Sequence, residues 1–273
     1  MCCYQLLAGR PLKGIERVPA ARWDSLGLQQ RDLTAVFRYQ DAQTDDQALT
    51  RAVLESAVSM GAKVHFGSAL NKIQYTSHYT LTFGDGSSVR CRALVNAAGP
   101  WANEVAALGG LPQQELDWVQ GIHIVLRRPA MAGCFYVEAP QDGRAVFVLP
   151  WRGLTMVGTT ERVLAEPKAE ASQAEIDYLL AIYNHYFPDF RCDLTDVDET
   201  FAGVRVLPRS HRHANKRSRE TLYSRAKGGT YVGIYGGKLT SYRATADKVL
   251  QMLTPVLQGA MSESTSTADI ALP

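Results

Sequence analysis

Apolar and polar positions along this chain switch between two periods, and the switches mark its elements. From Asp45 the apolar residues Leu49, Ala52, Val53, Ala57 and Met60 share one helical face, Asp45 suits the cap and Gly61 the stop, so a helix is predicted. A strand is predicted next from Lys63 to Phe66. Tyr79 to Phe83 and Ser88 to Cys91 are short strands joined by Gly84-Asp85-Gly86-Ser87, a hairpin signal. Ala93 to Asn96 reads as a buried strand running into the small-residue turn Ala97-Ala-Gly-Pro-Trp101.

Further strands are predicted near Gly121 to Leu126, Cys134 to Val137, Ala145 to Leu149 and Leu154 to Gly158. The helix among them opens at a capping box, Ser172-Gln-Ala-Glu175, and turns Ile176, Leu179, Leu180, Tyr183 and Tyr186 or Phe187 inward. Phe201 to Val206 is strand-like again, and a final alternating strand from Tyr231 meets Gly236-Gly237 before an amphipathic helix. The first 30 residues, interrupted by Gly9, Pro11, Gly14, Pro19 and Gly27, read as a helix end and an irregular linker, so the chain reads as beginning in the middle of a larger unit. Ser262 to Thr267 reads as a frayed tail. The order implies an α/β section with an inserted meander, then a strand-rich sheet backed by one helix between about residues 107 and 200.

Composition narrows the class. With 273 residues, 46% of them hydrophobic and 21% charged, the chain suits one large globular domain or two modest ones, and a net charge of +2 favours small-molecule chemistry over nucleic-acid binding. Cysteines at 2, 3, 91, 134 and 192 are odd in number and show no repeated spacing beyond the adjacent pair; this predicts reduced thiols in a cytosolic compartment and no zinc site. Neither a signal peptide nor a run of roughly 18 to 20 apolar residues is present, so any membrane contact is expected to be peripheral.

Chemistry gathers at a few places. The turns Asn96-Ala-Ala-Gly-Pro-Trp101 and Gly236-Gly237-Lys238 both leave buried strands and begin helices, and in parallel α/β sheets ligands collect at such strand ends. Taken singly, Gly99 and Pro100 serve equally well to stop a strand. A G-x-G-x-x-G fingerprint is absent from the 273 residues. His123 interrupts an apolar strand after Gly121-Ile122; it is either a satisfied core histidine or a group able to take a hydroxyl proton near neutral pH. Arg205 lies in an apolar strand, where a charge calls for a carboxylate partner or an anionic ligand. The basic stretch from Arg205 to Lys227 suits a solvated loop, a phosphate group or an acidic membrane surface, and its lack of interleaved aromatics argues against nucleic acid.

Taken together, Tyr39-x-Asp41-x-x-x-Asp45-Asp46, Leu94 to Trp101, Gly121-x-His123, Val148-Leu-Pro-Trp151, Val157-Gly-Thr-Thr160, Gly203-Val-Arg205 and Gly236-Gly-Lys-Leu-Thr-Ser-Tyr-Arg243 stand in the order found in FAD-dependent glycerol-3-phosphate dehydrogenases. The chain resembles that family of D-amino-acid-oxidase-like flavoproteins over roughly residues 30 to 258. The resemblance implies a mixed α/β fold: a partial Rossmann-like FAD-binding domain from 1–106 and 201–258, interrupted by an antiparallel or mixed-sheet substrate domain at 107–200 and followed by a tail at 259–273. It implies oxidation of sn-glycerol 3-phosphate to dihydroxyacetone phosphate, with electrons passing to a quinone.

Carried onto matching positions, the resemblance makes His123 and Arg205 the catalytic pair, and Arg205, Arg219 and Lys238 the substrate-binding set. It places Asn96, Ala97, Gly99, Pro100, Trp101, Gly236, Gly237, Lys238, Leu239 and Thr240 against FAD. Partner expectations are a phosphate-ester substrate, a quinone acceptor, peripheral contact with the cytoplasmic face of a membrane, and no nucleic acid; the N-terminal half is either upstream in the same gene, carried on a separate chain, or lost. Without the βαβ unit that bears G-x-G-x-x-G, the chain by itself is expected to bind FAD weakly or not at all, the activity belonging to the intact parent. A hydroxy-acid or amino-acid oxidase of the same superfamily, and a non-catalytic remnant that binds phosphorylated ligands, are the alternatives.

Overall fold

The computed structural model describes residues 15–31, 33–129, 133–209, 220–226, 228–257, 267 and 270–273. Cys2, Cys3, most of the basic loop including Arg219, and residues 262–266 of the predicted tail lie outside these described residues. In chain order the elements are β1 (Glu16–Val18), β2 (Val36–Arg38), α1 (Asp46–Ser59), β3 (Leu70–Tyr75), β4 (Tyr79–Phe83), β5 (Ser88–Cys91) and β6 (Leu94–Asn96). Then follow α2 (Ala102–Ala107), β7 (Leu116–Pro129), β8 (Phe135–Glu138), β9 (Ala145–Trp151), β10 (Leu154–Gly158) and β11 (Arg162–Leu164). The series closes with α3 (Gln173–Tyr186), β12 (Val197–Pro208), β13 (Thr221–Arg225), β14 (Tyr231–Gly236) and α4 (Tyr242–Leu257). This is the mixed α/β architecture that the two hydrophobic periods imply.

Two compact units divide the chain. One comprises Gly121–Glu161, Ala169–Gly203 and the described part of Met1–Thr44; the other comprises Asp45–Gln120, Arg162–Lys168 and the described part of Val204–Pro273. The sequence places its boundaries near 106 and 200, whereas the contacts group the N-terminal segment through Thr44 with the second section and carry the first section to Gln120.

In the first unit β10 pairs antiparallel with both β7 and β9, and β9 with β8. Alternation along β7 sends Ile122, Ile124 and Leu126 into a core shared with Val137, Val146, Val148 and Val157. Helix α3 closes that core with Leu179, Leu180, Ile182 and Tyr183. Its first turn is held by Glu175, whose Oε2 accepts from the Ser172 hydroxyl at 2.8 Å and the Ser172 amide at 3.3 Å. Burying this whole face is what stabilises a 14-residue helix that would be marginal in isolation. Ahead of it, β1 and β2 form a small antiparallel pair, a strand contact inside the region expected to be irregular.

In the second unit β3, β4 and β5 form a meander, with Asp85 bonding the Ser87 amide and hydroxyl across the turn. The predicted strand Lys63–Phe66 is not formed: these residues are irregular and Phe66 is 81% exposed, while the pairing strand is Leu70–Tyr75. That segment alternates one buried apolar residue, Ile73, with polar neighbours, a weak signal on its own that becomes a strand because Tyr79–Phe83 offers it a ladder. A second sheet runs in the order β13, β14, β6. Helix α4 packs on it through Val249 and Leu253 against Val232.

Candidate functional site

Strands β6 and β14 are parallel neighbours, with Leu94 opposite Tyr231, Val95 opposite Val232 and Asn96 opposite Gly233. Their carboxyl ends therefore face the same way, and the two predicted turns, Ala97–Trp101 after β6 and Gly236–Thr240 after β14, leave one end of one sheet. This is the position where open parallel sheets take ligands.

Each turn has a physical cause. Asn96, 3% exposed, donates to the Ala102 carbonyl at 2.8 Å and the Tyr231 hydroxyl at 3.2 Å, and its Oδ1 accepts from the Ala98 amide at 3.2 Å. The side chain thus holds the turn shut on itself and ties it to β14, a structural task. Gly99 has a φ of +55° and open space where a Cβ would point, and Pro100 starts the short turn that leads into α2. The Pro100 carbonyl accepts from the Trp118 indole at 2.9 Å, and Trp101 is 51% exposed.

Gly236 and Gly237 have φ of +70° and +91°. A Cβ at Gly237 would meet Thr221 Oγ1 at 2.6 Å, and one at Gly236 would meet the Glu220 and Val206 carbonyls at 3.1 and 3.4 Å. The two glycines are needed because the chain's own strands crowd them, in addition to the positive φ. Beyond them Lys238 is extended and exposed, and Leu239–Ser241 form a 3-10 turn that continues directly into α4. In this turn the Ser241 amide donates to the Lys238 carbonyl at 3.0 Å and the Tyr242 amide to the Leu239 carbonyl; at a helix start of this kind the amides ahead of the first such bonds, with the dipole, favour anionic or carbonyl oxygens. Leu239 is 40% exposed beside them.

Arg205 lies on β12 immediately before Val206, which packs with Tyr235 just ahead of the glycine pair. The structure thus brings Asn96, Ala97, Gly99, Pro100, Trp101, Arg205, Gly236, Gly237, Lys238, Leu239 and Thr240 into the second unit. Arg219 lies outside the described residues.

His123 belongs to the first unit. Alternation puts it on the face of β7 opposite to Ile122 and Ile124, away from the core under α3. It pairs in register with Gly158 of β10, and its ring lies against the space a Gly158 side chain would need. Two residues onward, Thr160 accepts from the Ile122 amide at 3.1 Å and donates to Glu175 at 2.8 Å. Neither partnership was evident from spacing: Gly158 reads as a strand end, and Glu175 as a cap.

Buried phenols brace the other unit. Burial pushes the Tyr231 hydroxyl up to about 12, against the lowering effect of its bond from Asn96. Tyr235 donates to the Pro112 carbonyl at 3.2 Å, and Tyr79 pairs with Thr230 at 3.1 Å. Among the described residues no cluster of three or more His, Cys, Asp or Glu is placed to hold a metal ion, and no helix is long and apolar enough to cross a membrane.

A parallel strand pair with a small-residue turn and a glycine turn into a helix, both at its carboxyl end, defines a cofactor-binding α/β protein. The family model for FAD dependent oxidoreductases (DAO) matches residues 6–249, and the chain belongs to that family. It is 30% identical over 238 residues to the aerobic glycerol-3-phosphate dehydrogenase of Staphylococcus saprophyticus subsp. saprophyticus, covering 81% of this chain and 42% of that protein. Among solved structures, the glycerol-3-phosphate dehydrogenase from Bacillus halodurans complexed with FAD superposes with a TM-score of 0.72 at 26% identity, covering 91% of this chain and 50% of that one. The L-alpha-glycerophosphate oxidase from Mycoplasma pneumoniae with FAD bound shares the fold, with a TM-score of 0.71 at 16% identity over 92% of this chain and 69% of that one. The chain spans less than half the length of the curated relatives it matches.

The residues present fit the ring portion of FAD. Gly99 leaves clearance at one turn, the helix start after Gly237 offers amides, and the exposed Leu239 and Trp101 offer apolar surface. The chain has no G-x-G-x-x-G to receive the pyrophosphate.

Proposed function

We propose that this chain contributes the substrate side and the flavin-ring side of an FAD-dependent oxidoreductase that converts sn-glycerol 3-phosphate to dihydroxyacetone phosphate. The single observation that carries this reading is the parallel pairing of β6 and β14, which sets Ala97–Trp101 and Gly236–Thr240 at the same sheet end. Bound FAD supplies the hydride acceptor. Gly237, Lys238, Leu239 and Thr240 would hold the ring, and the amides at the helix start would supply donors to it.

His123 accepts the substrate hydroxyl proton as the carbon is oxidised, a transfer to which a histidine side chain is suited. Arg205 binds substrate oxygens and stabilises the negative charge that develops on the reacting oxygen. Arg219 and Lys238 help to hold the phosphate. The pyrophosphate-binding element comes from a further segment or chain, electrons pass to a quinone, and membrane contact is peripheral, made through the basic stretch after Arg205.

The test is calorimetry with dihydroxyacetone phosphate on the full chain saturated with FAD. Binding that weakens at least 10-fold in Arg205→Ala supports the assignment, as expected when a charge-assisted contact is lost. Unchanged binding in the variant shows that the phosphate ester does not use this arginine and removes the reading.

A further inference from the structure

A relay of three hydrogen bonds connects the start of α3 to the strand that carries His123. The Ile122 amide donates to Thr160 Oγ1 at 3.1 Å, the Thr160 hydroxyl donates to Glu175 Oε1 at 2.8 Å, and Glu175 Oε2 accepts from the Ser172 hydroxyl at 2.8 Å. Thr160 and Glu175 are only 4% and 9% exposed. A hydroxyl has one proton. Donated to the carboxylate, it leaves lone pairs as the only option for the Ile122 amide, so each bond sets the direction of the next. The Thr160 amide closes the loop by donating back to the Ile122 carbonyl at 3.3 Å.

Helix capping accounts for the bonds between Glu175 and Ser172 but not for those that reach Thr160 and Ile122. Those end one peptide bond from His123. On the same pair of strands Gly158 sets the clearance for the ring, since a Cβ there would lie 2.5 Å from His123 Cγ and 2.8 Å from Nε2. Backbone orientation and ring clearance are therefore set within three residues of β10 and the turn after it.

We propose that Thr160 and Glu175 are positioning residues for His123, holding the backbone from which the imidazole projects. The structural part stands by itself; its catalytic consequence rests on His123 being the proton acceptor.

The test uses the full chain labelled at histidine, with the His123 imidazole resonances identified by their loss in His123→Gln. In Thr160→Val those resonances should shift or split, and in Thr160→Ser, which restores the hydroxyl, they should return. Val137→Ala on β8, three strands from β7, should lower stability and leave them in place. Should Thr160→Val fail to fold, Glu175→Gln provides the second variant: its amide group must present a donor to either Thr160 or Ser172, and the same displacement is expected. His123 resonances that coincide with the wild type in a folded Thr160→Val or Glu175→Gln protein overturn the proposal. In the FAD-loaded protein kcat should fall about 10- to 100-fold with KM unchanged, as for a small misplacement of a reacting group. If the resonances move while His123→Ala leaves turnover intact, positioning holds and the proton-acceptor reading fails.

Discussion

The imidazole of His123 lies against the backbone of Gly158, its register partner on the adjacent strand, and occupies the volume a side chain at 158 would fill. Close contact of this kind lets one glycine dictate where a titratable ring sits. Gly158→Ala should therefore displace His123 without altering its chemistry. Turnover by the FAD-loaded protein should fall roughly 10- to 100-fold, and His123→Ala should cost about 100-fold or more, the range for loss of a general base. Steady-state rates of both variants, with flavin content measured alongside, check the pair; equal turnover in His123→Ala removes the assigned role.

Asn96 is buried and serves three partners at once, so its removal leaves the Ala98 amide, the Ala102 carbonyl and the Tyr231 hydroxyl short of a bond. Asn96→Ala should lower unfolding free energy by about 1–3 kcal/mol, the cost of stranding buried polar groups. Urea denaturation reads the loss directly. A variant as stable as the parent would mean that the turn does not depend on this amide.

Gly237→Ala sets a methyl 2.6 Å from Thr221 Oγ1 at a φ of +91°. Strain at such a position costs on the order of 1–3 kcal/mol. The substitution should lower both stability and FAD affinity, because the turn after β14 must shift. Fluorescence titration of FAD into variant and parent chains tests the second effect.

Burial pushes the Tyr183 and Tyr231 hydroxyls up to about 12 from an ordinary 10. The native state therefore keeps protons that the unfolded chain has already released. Their contribution is fully present below pH 10 and is lost as pH rises toward about 12. Denaturation midpoints measured across that window should decline, and Tyr183→Phe should flatten the decline. An identical slope in the variant assigns the effect to other groups.

Much of this was legible in the residues themselves, for reasons that differ by element. The capping box at Ser172–Glu175 and the hairpin residues Gly84–Ser87 announce themselves because local hydrogen bonds and turn chemistry determine them. The strand Leu70–Tyr75 was hidden, since its only strong apolar anchor is Ile73 and its ladder partner lies downstream. Lys63–Phe66 is more strand-like in sequence but finds no partner strand among the described residues, and Phe66 stays exposed. At the candidate site, the glycine turn and the Asn96 turn were visible as composition, while their placement at one sheet end follows from a parallel pairing across more than a hundred residues of sequence. The Thr160–Glu175 bond is not legible in the sequence, because Glu175 already has a local role as a cap and the contact joins positions 15 residues apart through the fold.

The substrate proposed for the FAD ring is sn-glycerol 3-phosphate. The most direct measurement is anaerobic bleaching of the visible flavin band when the full chain, held in FAD above its dissociation constant, is mixed with substrate. Bleaching by sn-glycerol 3-phosphate that is lost in both His123→Ala and Arg205→Ala is the expected result. Bleaching by glycine or a hydroxy acid instead, or none by glycerol 3-phosphate with FAD demonstrably bound, would contradict it.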